Sequence, residues 1–257
     1  MALPEWVVLH IPHDSSLVPS QEREHILLND AGLSAELLAM TDHWTFDLFG
    51  ARVPPVQVVR AQYSRLIVDV ERFENDEQEP MAACGMGVIY ERTSNGKRLR
   101  EPPSANERER LLSTYYRPHH TRLAAAVDCA LAKHGTAVIL DCHSFPSKPM
   151  PYEQHQRLDR PDICIGTDSF HTPPRLRESL ARAFRGKGLS VVFDAPFSGS
   201  IVPLAHYRKT RTVASIMVEI NRGCYISEIS GQRNGGFDST RQVLQDCVGT
   251  AIHDVER

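Results

Sequence analysis

Short apolar runs, rich in β-branched residues, recur along the chain at Val7–Ile11, Val56–Val59, Leu66–Val70, Ala137–Leu140, Leu189–Phe193 and Ala214–Ile220. Their brevity and lack of polar alternation predict strands buried on both faces. The segments between them have helical character. Ser34–Phe49 is one; Ser104–His134 is another, opened by Pro102-Pro103 and the capping box Ser104-x-x-Glu107 and expected to break near Pro118; Pro174–Arg185 and Ser239–Val255 complete the set. Apolar strands alternating with helices predict an α/β fold, a central mixed, mostly parallel sheet flanked by helices. Ligands of such folds bind beyond the carboxyl ends of the strands. The stretch from Arg72 to Pro103, full of Glu, Asn, Gly and Pro, reads as a long excursion able to cover a substrate.

With 257 residues, 41% of them hydrophobic, the chain suits one large core, so residues 1–257 are read as a single catalytic domain. A formal net charge of −3, built from well-mixed acids and bases, offers no basic footprint for nucleic acid or a membrane surface. The expected partner is a small molecule. No segment approaches a membrane span, and the opening Met1-Ala-Leu-Pro-Glu-Trp carries no signal-peptide pattern, so the expected location is cytoplasmic. The six cysteines, Cys84, Cys129, Cys142, Cys164, Cys224 and Cys247, include no C-x-x-C pair and read as reduced, mostly buried thiols. Dinucleotide-binding and phosphate-binding glycine loops are absent, as is a G-x-S-x-G elbow.

Three strand ends carry the chemistry. Val7–Ile11 runs into Pro12-His13-Asp14-Ser15-Ser16, and Val138-Ile139-Leu140 runs into Asp141-Cys142-His143-Ser144. Glu219 lies within the apolar run Ile216-Met217-Val218-Glu219-Ile220, where an unpaired carboxylate is costly unless it is put to work, as a general base can be. Two histidines and a carboxylate, with an open fourth position for water, make a common catalytic zinc shell. For the third ligand, Asp42 shares the spacing of Leu38, Thr45 and Phe49 on the expected helix, with Asp47 and His43 as alternatives. Arginines stand at both ends of Arg65-Leu66-Ile67-Val68-Asp69-Val70-Glu71-Arg72, suited to a developing oxyanion or a substrate carboxylate. His120, near Pro118, and Arg222 are further substrate contacts. Cys142 is expected to point away from its neighbour His143.

Taken in order, these segments resemble the N-formylglutamate amidohydrolase family, itself related in fold to zinc carboxypeptidases and aspartoacylases. The resemblance rests on Pro12-His13, Asp42, Ser64-Arg65-Leu66-x-x-Asp69-x-x-Arg72, Gly85-Met86-Gly87-Val88-Ile89 and Tyr116-x-Pro118-x-His120. It continues through Asp141-Cys142-His143-Ser144, Asp162-Ile163-x-Ile165-Gly166-Thr167, Asp194-Ala195-Pro196-Phe197-x-Gly199 and Glu219-Ile220-Asn221-Arg222-x-x-Tyr225. It implies a zinc-carboxypeptidase, phosphorylase/hydrolase-like fold and one zinc on His13, Asp42 and His143. Glu219 would activate water and later protonate the leaving amine, Arg65 would polarise the carbonyl, and Arg72 would hold a carboxylate. The implied reaction is hydrolysis of N-formyl-L-glutamate to formate and glutamate, as in histidine degradation. Glu71 stands where aspartoacylases have Asn, and Ser16 stands where carboxypeptidases and aspartoacylases place a ligating Glu. Rival readings are a zinc acylase or carboxypeptidase-like hydrolase of another N-acyl amino acid or short peptide, a non-catalytic sensor of such ligands, and a cysteine hydrolase using Cys142.

Overall fold

The computed structural model describes residues 3–50 and 53–255. Its frame is a six-stranded sheet in the order β2-β1-β3-β6-β4-β5: β1 (Val7–Ile11), β2 (Val58–Arg60), β3 (Ala137–Phe145), β4 (Ile163–Gly166), β5 (Val191–Phe193) and β6 (Val213–Asn221). All neighbours pair in parallel except β4 and β6, which run antiparallel. This is the mixed, mostly parallel α/β sheet expected. Strand β4 was not foreseen as a strand, its apolar run Ile163-Cys164-Ile165 being too short to stand out.

Alternation along the central strands feeds two cores. Val7, Leu9 and Ile11 of β1 and Val138, Leu140 and Cys142 of β3 pack with Leu176, Phe184 and Leu244 from helices α5 (Pro174–Gly186) and α6 (Phe237–Val255). Val8 and Ile139 face the other way, onto Leu123 and Val127 of α4 (Arg117–His134). On that same face His10 pairs in register with Asp141, so alternation sends these two polar side chains to one side while Cys142 goes to the other.

A third apolar cluster, including Leu66, Ile67, Met86, Tyr90, Leu99 and Met40, forms a roof beside the sheet. It corrects one expectation and fills in another. Leu66–Val70 is buried yet makes no strand: Ile67 N–H donates to the Ser64 carbonyl, Leu66 N–H to Ser64 Oγ, and Asp69 N–H to the Val88 carbonyl, so local turns consume the ladder donors. The Arg72–Pro103 stretch is packed rather than loose, with a 3-10 helix at Pro80–Cys84 closed by Gly85 at φ 74°.

The helices differ in detail. After the short α1 (Ser20–Arg23), helix α2 (Asp30–Met40), capped by Asn29 through its bond to Gly32 N–H, ends well before Phe49, and a π-helical turn at Phe46–Gly50 follows. Asp42 therefore lies beyond the helix rather than on its inner stripe. No break occurs at Pro118: α3 (Ala105–Leu111) and α4 are joined by a π-helical turn at Leu112–Tyr116, and Pro118 occupies the first turn of α4, where its missing N–H costs little.

Candidate active site

His13, His143 and Glu219 meet at the carboxyl ends of β1, β3 and β6, the three adjacent central strands. His143 pairs in register with Glu219 across β3 and β6, which puts imidazole and carboxylate side by side on one face. Asp42 is delivered by the chain leaving α2: Thr41 turns extended, and Asp42 N–H then donates to the His13 carbonyl at 2.8 Å. Trp44, in the left-handed region at φ 66°, completes the turn; its indole N–H donates to the Gly231 carbonyl at 2.8 Å. The result is a buried group of His13, Asp42 and His143 whose ligating atoms all lie within 4.8 Å of one another.

Each imidazole is oriented from behind. His13 Nε2 lies 2.8 Å from Asp69 Oδ1 and His143 Nε2 lies 3.0 Å from Asp141 Oδ1. Carboxylates at both Nε2 atoms hold protons there, and this directs Nδ1 of each ring toward Asp42 Oδ2, at 3.7 Å from His13 and 3.3 Å from His143. Asp42 is fixed through its other oxygen, which accepts from Arg222 Nη2 at 2.9 Å. Burial alone would raise the Asp42 pKa, but His13, His143 and Arg222 together hold it well below the usual carboxylate range. Burial likewise opposes charge on His143, yet Asp141, Asp42 and Glu71 raise its pKa well above normal. Two inward-facing imidazole nitrogens and one fixed carboxylate oxygen, backed by further carboxylates, fit a divalent metal such as zinc in donor type and in charge.

Glu219 has the opposite character. Burial, opposed by His143 and reinforced by Asp42, pushes its pKa up to about 8, and its Oε2 is buried with no hydrogen-bond partner. An orphaned carboxyl oxygen beside the metal-type cluster is poised for proton transfer.

These groups open into a cavity of about 270 Å³ that Arg65, Arg72, Ser144 and Tyr152 also line. Arg65 Nη2 and Nε donate to Asp69 Oδ2 at 2.7 and 3.1 Å, and Nε also lies 3.0 Å from Tyr90 Oη. Arg72 Nε is buried without a hydrogen-bond partner. Two further expected substrate contacts sit differently from Arg65 and Arg72. Arg222 lines the cavity, but its guanidinium is committed to the Ala39 carbonyl at 2.6 Å, to Asp42 and to Ser144 Oγ at 3.2 Å; it positions Asp42. His120 donates to the Val70 carbonyl at 3.0 Å and packs on Tyr116, facing an adjoining chamber rather than this cavity. The alternatives to Asp42 lie apart from the cluster: His43 Nε2 is 3.2 Å from the Leu38 carbonyl, and Asp47 pairs with Arg233 at 2.6 Å.

Four contributors escaped the sequence reading of roles. Asp69 lies within a buried apolar run, the signal that singled out Glu219, and Asp141 ends one, so both were findable. Tyr90 and Tyr152 come from irregular segments where no period points to them. Behind Asp141 stands His10, with Nδ1 2.8 Å from Asp141 Oδ1 and Nε2 2.8 Å from His119 Nε2. Burial disfavours the His10 imidazolium, but Asp141 and Glu71 raise its pKa to about 9, so it is the cation that anchors Asp141.

The family model described as N-formylglutamate amidohydrolase matches residues 6–226. The chain is 28% identical over 235 residues to an N-formylglutamate deformylase of Pseudomonas aeruginosa, covering 87% of this chain and 86% of that one. It is 28% identical over 184 residues to an N-formylglutamate deformylase of Pseudomonas putida, covering 69% of this chain and 67% of that one. Among solved structures, an N-formylglutamate amidohydrolase from Ralstonia eutropha superposes with a TM-score of 0.83 at 24% identity, covering 100% of this chain and 95% of that one. A gene product from Agrobacterium tumefaciens gives a TM-score of 0.72 at 19% identity, with coverages of 99% and 93%. These structural likenesses concern the fold.

Proposed function

Because the chain belongs to the N-formylglutamate amidohydrolase family, we propose that it is a zinc-dependent hydrolase of small N-acyl amino acids, cleaving N-formyl-L-glutamate to formate and glutamate. The observation that carries this reading is the convergence of His13, Asp42 and His143 next to a buried, unpartnered Glu219. His13 and His143 through Nδ1, and Asp42 through Oδ2, would hold the metal. When bound, zinc supplies a Lewis acid and a water acidified to a pKa of ~7, and its charge draws the Glu219 pKa down toward that of a working base.

The protein's own groups do the rest. Glu219 takes a proton from the attacking water and returns it to the leaving nitrogen, so that the amide C–N bond breaks as the carbonyl gains a hydroxyl and the amine leaves neutral. Arg65, held in place by Asp69 and Tyr90, faces the carbonyl oxygen as negative charge develops on it. Arg72 pairs with the substrate carboxylate, giving its buried Nε, 3.6 Å from Asp69, a hydrogen bond. Arg222 keeps Asp42 in place. This chemistry calls for a small-molecule partner and neither nucleic acid nor membrane, and we assign it to the cytoplasm. No helix among the described residues is long and apolar enough to cross a membrane.

The test is release of formate and glutamate from N-formyl-L-glutamate, followed before chelation, after chelation and after zinc is restored. Equimolar products, loss on chelation and recovery with zinc are expected. Activity indifferent to chelation would overturn the metal mechanism, and zinc binding without turnover of any N-formyl amino acid would overturn the hydrolase.

A further inference from the structure

Beyond Arg72 lies a second chamber of about 390 Å³. Glu71, Arg72, Met81 and Ser198 line both spaces, so the two adjoin, with Arg72 at their shared border. The chambers differ in character. The first is dominated by polar and titratable groups, whereas Phe73, Met81, Tyr116, Val202, Leu204 and Tyr207 give the second an aromatic and aliphatic wall. Phe73 and Leu204 are 41% and 65% exposed, large apolar side chains left in water where they border the chamber. Clustered exposed apolar groups at the rim of a concave site favour an apolar ligand.

Charge points the same way. Glu71, Glu79 and Asp168 line the second chamber; Glu71 pairs with His10 at 3.0 Å, and Arg72, the one guanidinium among the described lining residues, lies 4.0 Å from Glu79 and 3.6 Å from Asp69. Burial holds the His120 pKa down at about 4, so this histidine adds no positive charge at neutral pH. A ligand with one carboxylate finds its partner in Arg72 at that border. A second carboxylate pushed into the chamber loses its hydration and finds no further cation among the described residues that line it.

We propose that this chamber is a side-chain subsite and that the enzyme accepts N-formyl amino acids with neutral, apolar or aromatic side chains, such as N-formyl-L-leucine and N-formyl-L-methionine, at least as well as N-formyl-L-glutamate. The proposal rests on the hydrolase reading above for its chemistry. With the amide at Glu219 and the α-carboxylate on Arg72, the side chain enters the apolar space beyond. Each buried methylene contributes a few-fold to selectivity, so a four-carbon side chain is worth roughly ten- to a hundredfold over glycine.

Two readouts decide it. In the zinc-loaded protein, kcat/KM for N-formyl-L-leucine should exceed that for N-formylglycine at least tenfold and match or exceed that for N-formyl-L-glutamate. Leu204→Asp, and independently Phe73→Asp, should each lower the leucine-to-glycine ratio at least fivefold. Calorimetric titration of Glu219→Gln with the same N-formyl amino acids should give the same order of affinities without turnover. Preference for N-formyl-L-glutamate by more than tenfold, or a leucine-to-glycine ratio near one in both readouts, would overturn the subsite. If no formyl amide is hydrolysed while the calorimetric preference for leucine persists, the hydrolase reading fails and the chamber stands.

Discussion

Asp42 accepts from Arg222 on one oxygen and faces two imidazoles with the other, so its replacement separates holding the metal from moving a proton. Asp42→Asn should purify with less than a tenth of the wild-type zinc, measured by elemental mass spectrometry, and with formate release lower by at least a hundredfold. Asp141→Asn leaves all three ligands in place but loosens His143, and should weaken zinc ten- to a hundredfold in a chelator competition. Glu219 makes a prediction about pH. Its folded pKa of about 8 exceeds its ordinary value of 4.5, so between these values the folded metal-free protein binds the extra proton. The stability contributed by the neutral carboxyl is complete below about 4.5 and is lost as pH rises through 8. Melting temperature in the presence of chelator should therefore fall more steeply across that window in wild type than in Glu219→Gln. Equal slopes would show that Glu219 does not carry the shift. Of these residues, His13, His143 and Glu219 were legible because a polar side chain at the end of an apolar run has few other reasons to be there. The bonds of Arg222 were not legible, because a sequence does not reveal that the Ala39 carbonyl, Asp42 and Ser144 accept from its guanidinium.

Among the elements, the strands were the easiest to read and the irregular roof the hardest. A buried run such as Val7–Ile11 becomes a strand because neighbours on both sides take up its backbone groups. Leu66–Val70 has the same composition, but Ser64 Oγ, the Ser64 carbonyl and the Val88 carbonyl accept its N–H groups, an outcome set by a segment some twenty residues further on. Asp42 shows the same limit, since its helical spacing was real on paper while the helix stopped at Met40. The roof positions Asp69 and Tyr90 behind His13 and Arg65, so loosening it should cost activity as well as stability. Leu66→Ala, at a fully buried position of that cluster, is expected to destabilise by about 2–5 kcal/mol in denaturant unfolding. It should also lower kcat for N-formyl-L-glutamate by a larger factor than it weakens zinc, because of the three ligands Asp69 orients only His13, while His143 and Asp42 are carried by the sheet and by the end of α2. Loss of zinc in step with stability would instead make the roof part of the metal cradle.

At the scale of the molecule, the three central strands aim their carboxyl ends at one point, and every group proposed for catalysis sits there or on the segments that fold over it. The order β1-β3-β6 brings His13, His143 and Glu219 together from positions far apart in the chain. Ligand binding to the folded state alone stabilises by mass action, so zinc should raise the melting temperature of chelated wild type and leave that of Asp42→Asn nearly unchanged. The most direct test of the central claim is zinc stoichiometry and N-formyl-L-glutamate hydrolysis, measured on one preparation of wild type and one of Glu219→Gln. About one zinc per chain in both, with formate release present in the first and reduced at least a thousandfold in the second, is the predicted result. A wild-type protein that hydrolyses the substrate without metal, or a Glu219→Gln protein as active as wild type, would contradict it.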